Sequence, residues 1–225
     1  MKKIVSMIVL FMVSAVLFAQ QDVTQFLGIP VDGTKSEMIQ KLKTKGFQYN
    51  STYDRLEGEF NGSQVYLSVL TNNNKVWRIM VKDAVPLSEN SIKNRYNRLY
   101  RQFMNNNKYV PLPVESNREL SDDEDISYEI SVHDKQYEAV FFQLPTDSAS
   151  IVAYAQERLL QKYTEEQALS LTDEEKTLFA MDLFLEYVSK KVVWFTIKED
   201  SVLGRGYIIV MYYDNEYNHS NGEDL

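Results

Sequence analysis

An α+β fold, with antiparallel strands and helices packed on one face, is what this 225-residue sequence predicts. Three observations carry that prediction. Blocks of alternating apolar residues are interleaved with blocks of helical apolar spacing. The strand blocks are joined by short turn signals, the mark of antiparallel pairing. Cysteine is absent, so no disulfide or Cys-based zinc site can stand in for a packed core.

The first stretch is MKKIVSMIVLFMVSAVLFAQQ. Lys2 and Lys3 start it, Ile4 to Phe18 is almost wholly apolar, and Ala19 offers a small residue before a polar exit. This reads as a secretory signal peptide over 1–19, cleaved after Ala19, although Leu17 is large for the third position before a cut. The apolar run is short of the roughly 20 residues of a membrane span. An uncleaved anchor is the alternative. No cysteine follows the run, so the chain is not expected to be a lipoprotein. The 206 residues that remain of 225 suffice to bury roughly 70% of the unfolded surface. Losing Lys2 and Lys3 takes the 24 basic residues to 22 against 32 acidic ones, a net charge near −10. That balance argues against binding nucleic acid.

The mature chain divides into an N-terminal α+β half (20–110), an acidic linker (111–125) and a C-terminal α+β half (126–225). In GIPVDGTKS, residues 28–36, the glycines suggest a phosphate-binding loop. However, the lysine comes one residue too late after Gly33. Thr34 with Glu37 instead makes a helix capping box. Met38, Ile39 and Leu42 form one face, and Gly46 ends the helix. RLEGEF, SQVYLSVL and KVWRIMVK then form a meander, turned at Asn61–Gly62 and at TNNN. Val65, Leu67 and Val69 point to one face, and Trp77, Ile79 and Val81 to one face. In SENSIKNRYNRLYRQFMNNN, Ile92, Tyr96, Leu99, Tyr100, Phe103 and Met104 repeat at helical spacing. Lys93, Arg95, Arg98 and Arg101 lie opposite, as a solvated face or a complement to the acidic linker.

Pro111, Pro113 and the acids from Glu115 to Asp125 read as a solvated mobile loop; the alternating ligands of a calcium loop are missing. ISYEISV and QYEAVFFQL read as a hairpin around His133. Ile151, Ala155, Leu159 and Tyr163 share a helical face. Thr164 with Gln167 and Thr172 with Glu175 are further capping boxes. DEEKTLFAMDLFLEYVSKK is apolar over much of its circumference, which predicts a central, well-buried helix ended by Lys190 and Lys191. VVWFTIK and GYIIVMYYD close the chain as two strands about a turn containing Gly204. VWRIMV and VWFTI look alike, so the two halves could share one plan.

Catalytic signatures are missing. The two histidines, His133 and His219, read as surface residues. No nucleophile elbow, zinc helix or nucleotide fingerprint occurs. No catalytic residue, cofactor site or metal site is assigned; Asp214, Glu216 and Asn218 alternate but lack the remaining ligands of a calcium loop. The tyrosines near the end, Tyr207, Tyr212, Tyr213 and Tyr217, suggest a binding surface. They are also ordinary strand residues.

The runs FLGIPVDGTKSEMIQKLKTKGF, EGEFNGSQVYLSVL and KVWRIMV, with the ending YIIVMYYDNEYNHSNGEDL, resemble a family of small uncharacterised exported proteins of Gram-negative gut bacteria. More remotely, the helix and meander at 34–82 are similar to the β-lactamase-inhibitor-protein-like (BLIP-like) fold. That fold is shared with a small lipoprotein of the outer-membrane barrel-assembly machine, whose lipidated cysteine this chain lacks. The resemblance implies binding or scaffolding and carries over no functional residue. The expectation is therefore an exported, periplasmic or extracellular, non-enzymatic binding or scaffolding protein with an envelope protein or glycan partner. The alternatives are a carboxylate-dependent envelope hydrolase and a purely structural envelope protein.

Overall fold

The computed structural model describes residues 22–146, 148–200 and 206–220. The expected signal peptide with Ala19 and the expected turn with Gly204 lie outside the described residues. The chain forms two compact units. One holds Val23–Leu144 and the chain from Val188; the other holds Asp22 and Pro145–Tyr187.

The larger unit opens with a small hairpin, β1 (Gln25–Phe26) and β2 (Ile29–Pro30). Helix α1 (Lys35–Lys43) follows, then β3 (Gln48–Asn50), β4 (Arg55–Phe60), β5 (Ser63–Asn72) and β6 (Lys75–Asp83). Helix α2 (Glu89–Met104), β7 (Tyr109–Pro111), α3 (Ile126–His133) and β8 (Glu138–Gln143) come next. The chain ends through β9 (Lys191–Glu199) and β10 (Tyr207–Asn215). Among the described residues, eight strands make one sheet in the order β3-β4-β5-β6-β10-β9-β8-β7, and every adjacent pair is antiparallel. The fold is α+β with antiparallel sheets. Residues 111–125 do not divide two sheets, since β6 from before them pairs with β10 from after them.

Local chemistry explains most of these elements. Thr34 and Glu37 make the reciprocal capping bonds that start α1, and Lys35 pairs with Asp54 at 2.6 Å. Asn61–Gly62 and Asn73–Asn74 turn the meander with all four residues at positive φ, the geometry that matches strand twist. Val65, Leu67, Val69, Ile79 and Val81 are buried in one core with Met38 and Leu42 of α1 and Ile92, Tyr96, Leu99 and Phe103 of α2. Phe26 of the small hairpin joins that core, 4.8 Å from the Tyr213 ring.

Several expectations need correction. Ile126–His133 is a helix, so ISYEISV and QYEAVFFQL are not a hairpin. Asp125 caps it by accepting from the Tyr128 N–H, and its alternation has no strand to face: Ile126 is buried while Tyr128 and Val132 are exposed. Trp77 does not share the core face of Ile79. The β5–β6 register shifts at Leu70/Thr71, and this irregularity buries Val76 in its place.

The α2 cations are not a uniformly solvated face. Arg95 is buried against Asp83, with Nε 2.6 Å from Oδ2. Lys93 Nζ donates to the carbonyls of Asp122 and Glu124 at 2.7 and 2.9 Å. The acidic segment is accordingly latched. Asn97 exchanges two bonds with the backbone of Leu120, Tyr100 donates to Asn117 O, and Asn117 bonds the backbone of Leu112 and Val140. The acidic side chains stay mostly in solvent while the backbone is held. Lys191 is no helix-terminal charge: it opens β9, is buried and donates to Leu144 O.

The smaller unit is helical: α4 (Ser148–Lys162), α5 (Glu165–Ser170) and α6 (Asp173–Val188). Thr164 with Gln167 and Thr172 with Glu175 form the capping bonds predicted. Asp22 ties the two ends of the unit, accepting from Thr146 N, Thr146 Oγ1 and Tyr187 OH at 3.1, 3.0 and 2.7 Å. α6 is not the central buried helix expected. Leu183 and Tyr187 are buried, but Leu178, Met181 and Leu185 are 57%, 61% and 49% exposed. An all-round apolar helix needs neighbours on every side, and the two other helices of this unit leave one face uncovered.

Candidate functional site

The strand alternation that builds the core also builds a second sheet face. On β10, Tyr207, Ile209, Met211 and Tyr213 join the core, so Ile208, Val210, Tyr212 and Asp214 take the other side. Pairing sets Tyr212 opposite Trp194 and Met80, and Asp214 opposite Arg78. Helices α1, α2 and α3 send their buried apolar residues to the core side; on the other side Ile208, Val210 and Thr196 are buried as well, and the accessible part lies with the half-buried residues around Tyr212.

An aromatic cluster organised around one guanidinium lies on this face. The Trp194 and Tyr212 rings stack at 4.1 Å with 20° between planes. Arg78 Cζ lies 4.2 Å from the Trp77 ring centre and 4.6 Å from that of Tyr212, within cation–π range. Asp214 fixes the cluster from beneath. Its carboxylate accepts Arg78 Nε and Nη2, each at 2.6 Å, and Trp194 Nε1 at 2.9 Å. Trp77 is flanked on its other side by the His219 ring, 4.6 Å away. Trp77, Arg78, Trp194 and Tyr212 are half-buried, neither sunk nor free. Burial pushes the Tyr212 hydroxyl above its ordinary pKa, partly opposed by the charge of Arg78.

The four tyrosines of the expected surface are not brought together. Tyr207 and Tyr213 belong to the core; Tyr207 shares a hydrogen bond with Ser127 Oγ. Only Tyr212 joins the cluster, and Tyr217 lies just past the strand, its N–H bonded to Asn215 Oδ1. The alternation hinting at metal also dissolves. Asp214 is taken by Arg78 and Trp194, while Asn218 donates to Asp32 Oδ1 and Val76 O, both at 2.8 Å. Among the described residues no group of three or more acids or histidines is placed to hold a metal ion. His133 sits at the end of α3 beside Glu129, 3.1 Å away.

Sequence reasoning missed Arg78 and Trp194, and weighed Asp214 only as part of an incomplete metal pattern. Each stands at an outward position of its strand, but only the β6–β10–β9 register makes them neighbours. Asp83 and Asp214 are the two most deeply buried carboxylates among the described residues, and both are engaged. Asp83 is occupied by Arg95 and the Ile209 N–H, and Asp214 by three donors.

Comparison of the chain with protein-family models, with curated proteins and with solved structures finds no match.

Proposed function

We propose that this chain is an exported, non-catalytic binding protein of a bacterial envelope, and that it docks a protein partner on the outer face of its sheet. One observation carries the reading: a half-exposed Trp77–Arg78–Tyr212–Trp194 cluster held rigid by the buried Asp214. Trp, Tyr and Arg are the side chains that dominate binding energy at protein interfaces. Preorganisation by Asp214 lowers the ordering cost of association. Met80, opposite Tyr212 on the same face, extends the contact area with an apolar, adaptable side chain. A protein is favoured over a glycan because much of the ring surface is already used: one face of Trp194 stacks on one face of Tyr212, Arg78 lies against Tyr212 and Trp77, and His219 lies against Trp77. The leader read at 1–19 and the acidic balance fit an envelope location.

The test is capture in the native host. Cells expressing the tagged full precursor are crosslinked, and the captured proteins are compared with those from Tyr212→Ala and Trp194→Ala chains. A single abundant envelope protein, lost in both variants while their unfolding midpoints stay near that of the wild type, is the expected result. The same protein retained by both folded variants would place docking elsewhere. A glycan captured instead, or turnover of an envelope substrate by the purified chain, would replace the reading.

A further inference from the structure

The helical unit carries a feature independent of the sheet face. Between α4, α5 and α6 lies a cleft of about 450 Å³, within the span of small-molecule sites, roughly 300–1,000 Å³. Its walls are Ile151, Ala155, Leu159, Leu171, Phe179 and Leu183, with Lys176 at the rim. The wall is nearly free of hydrogen-bonding groups, which suits an alkyl chain and not a polar metabolite.

The cations of the unit are distributed unevenly. Residues 145–187 contain only three, Arg158, Lys162 and Lys176, among many acids. Arg158 is engaged by Glu186. The other two gather at the Phe179 end of the cleft. Lys176 lines it, with Asp173 at a loose 3.9 Å. Lys162 Nζ lies 5.3 Å from the centre of the Phe179 ring, itself a wall of the cleft. An apolar slot whose two loosely held cations, among the described residues, sit at one end is complementary to a molecule with an apolar tail and an anionic head.

We propose that this cleft binds a single-chain anionic amphiphile of the fatty-acid class. The alkyl chain lies against Ile151, Ala155, Leu159 and Leu183, and the carboxylate meets Lys162 and Lys176. The assignment does not rest on the reading of the sheet face, and its failure would leave that reading untouched.

Titration calorimetry tests it, on protein purified from the periplasm of an expression host. The probes are decanoate, dodecanoate, dodecanol and dodecyltrimethylammonium, each below its micelle-forming concentration. One dodecanoate is expected per chain. Shortening it to decanoate should weaken binding about tenfold, the effect of two buried methylenes. Dodecanol should bind more weakly, and the cationic amphiphile weakest. Lys162→Glu with Lys176→Glu should lower dodecanoate affinity about tenfold, since each loses an attraction and gains a repulsion, and leave dodecanol unchanged. Both lysines are at the surface, so this variant is expected to fold. Ala155→Trp, which fills the slot, should abolish binding of every probe. Equal affinity for dodecanol and dodecanoate would overturn the role of the lysines. Binding that survives in a folded Ala155→Trp chain would overturn the cleft. No heat with any probe, or association with phospholipid vesicles alone, would overturn the proposal as a whole.

Discussion

Arg78 and Asp214 face one another across the β6–β10 pair, and the guanidinium gives Nε and Nη2 to the two carboxylate oxygens, each at 2.6 Å. The acid is almost wholly buried while the arginine keeps some contact with solvent, so the pair stands between a surface bridge and a buried one. Replacing Asp214→Asn leaves one oxygen where two accepted three donors. A loss of about 2 kcal/mol is expected, read as a lower urea midpoint with unchanged slope. The Trp194 emission maximum should shift as its Nε1–H loses its acceptor, and partner capture should fall with it. An unchanged midpoint would mean that the cluster is held by stacking alone.

Gly58 and Phe47 form a second close relationship. A Cβ placed on Gly58 would lie 2.7 Å from Phe47 Cδ1, inside any tolerated contact. Phe47 is buried between α1 and the sheet, so it has little room to retreat. Gly58→Ala is predicted to destabilise by about 1–3 kcal/mol through overpacking. Phe47→Leu costs stability alone, but it should cost less in the Gly58→Ala background, because the smaller side chain relieves the clash. A double-mutant cycle measures that coupling, and strict additivity would count against the contact.

The parts of this fold that local chemistry dictates were legible in the sequence. Thr34 and Glu37, Asn61–Gly62 and the alternation of Val65, Leu67 and Val69 each act within a few residues. Features that depend on distant partners were not. Ile126 to Val132 alternate like a strand, yet Asp125 caps them and both sides of β8 are taken by β7 and β9, so they fold as α3. The bulge that swaps Val76 for Trp77 depends on the register with β5. Arg95 looked like one more solvated cation until Asp83, from another element, stood beside it. The site is the extreme case: Arg78, Trp194 and Asp214 come from three strands, and no local signal relates them. Tyr212 was singled out, but with Tyr207 and Tyr213, which the strand period sends to the core, and Tyr217, which lies past the strand.

Glu124 predicts a pH dependence. Hydrogen bonds from Lys135 and from the Tyr137 hydroxyl, with the nearby charges of Lys135 and Arg118, hold its carboxyl below the ordinary value. Burial, and then the same contact, push the Tyr137 hydroxyl well up. A depressed carboxylate stabilises the fold fully above its unfolded value, about 4.3. That contribution is lost as the pH falls through the lower, folded value. Glu124→Gln should therefore cost about 1 kcal/mol at neutral pH. Denaturant titrations of the two chains should converge below pH ~4. A gap that persisted at low pH would assign the effect to packing and not to charge.

Asp83 and Arg95 pose the sharpest energetic question. Both are buried, and Asp83 Oδ2 also accepts the Ile209 N–H at 3.1 Å, so one carboxylate ties α2 to the two central strands. Removing a single partner strands a charge in the core. Asp83→Ala or Arg95→Ala should each cost about 3–5 kcal/mol. Replacing both by apolar residues of similar size, Asp83→Leu with Arg95→Met, removes the desolvation cost of two ions together. That exchange alone would be near neutral, but it leaves the Ile209 N–H without an acceptor, a penalty of about 1–3 kcal/mol. The double variant is therefore predicted to be destabilised by about that amount, and to be more stable than either alanine variant. If it instead matched the wild type, the Ile209 N–H must have found another acceptor. If it fell below both alanine variants, the ion pair would be a net source of stability.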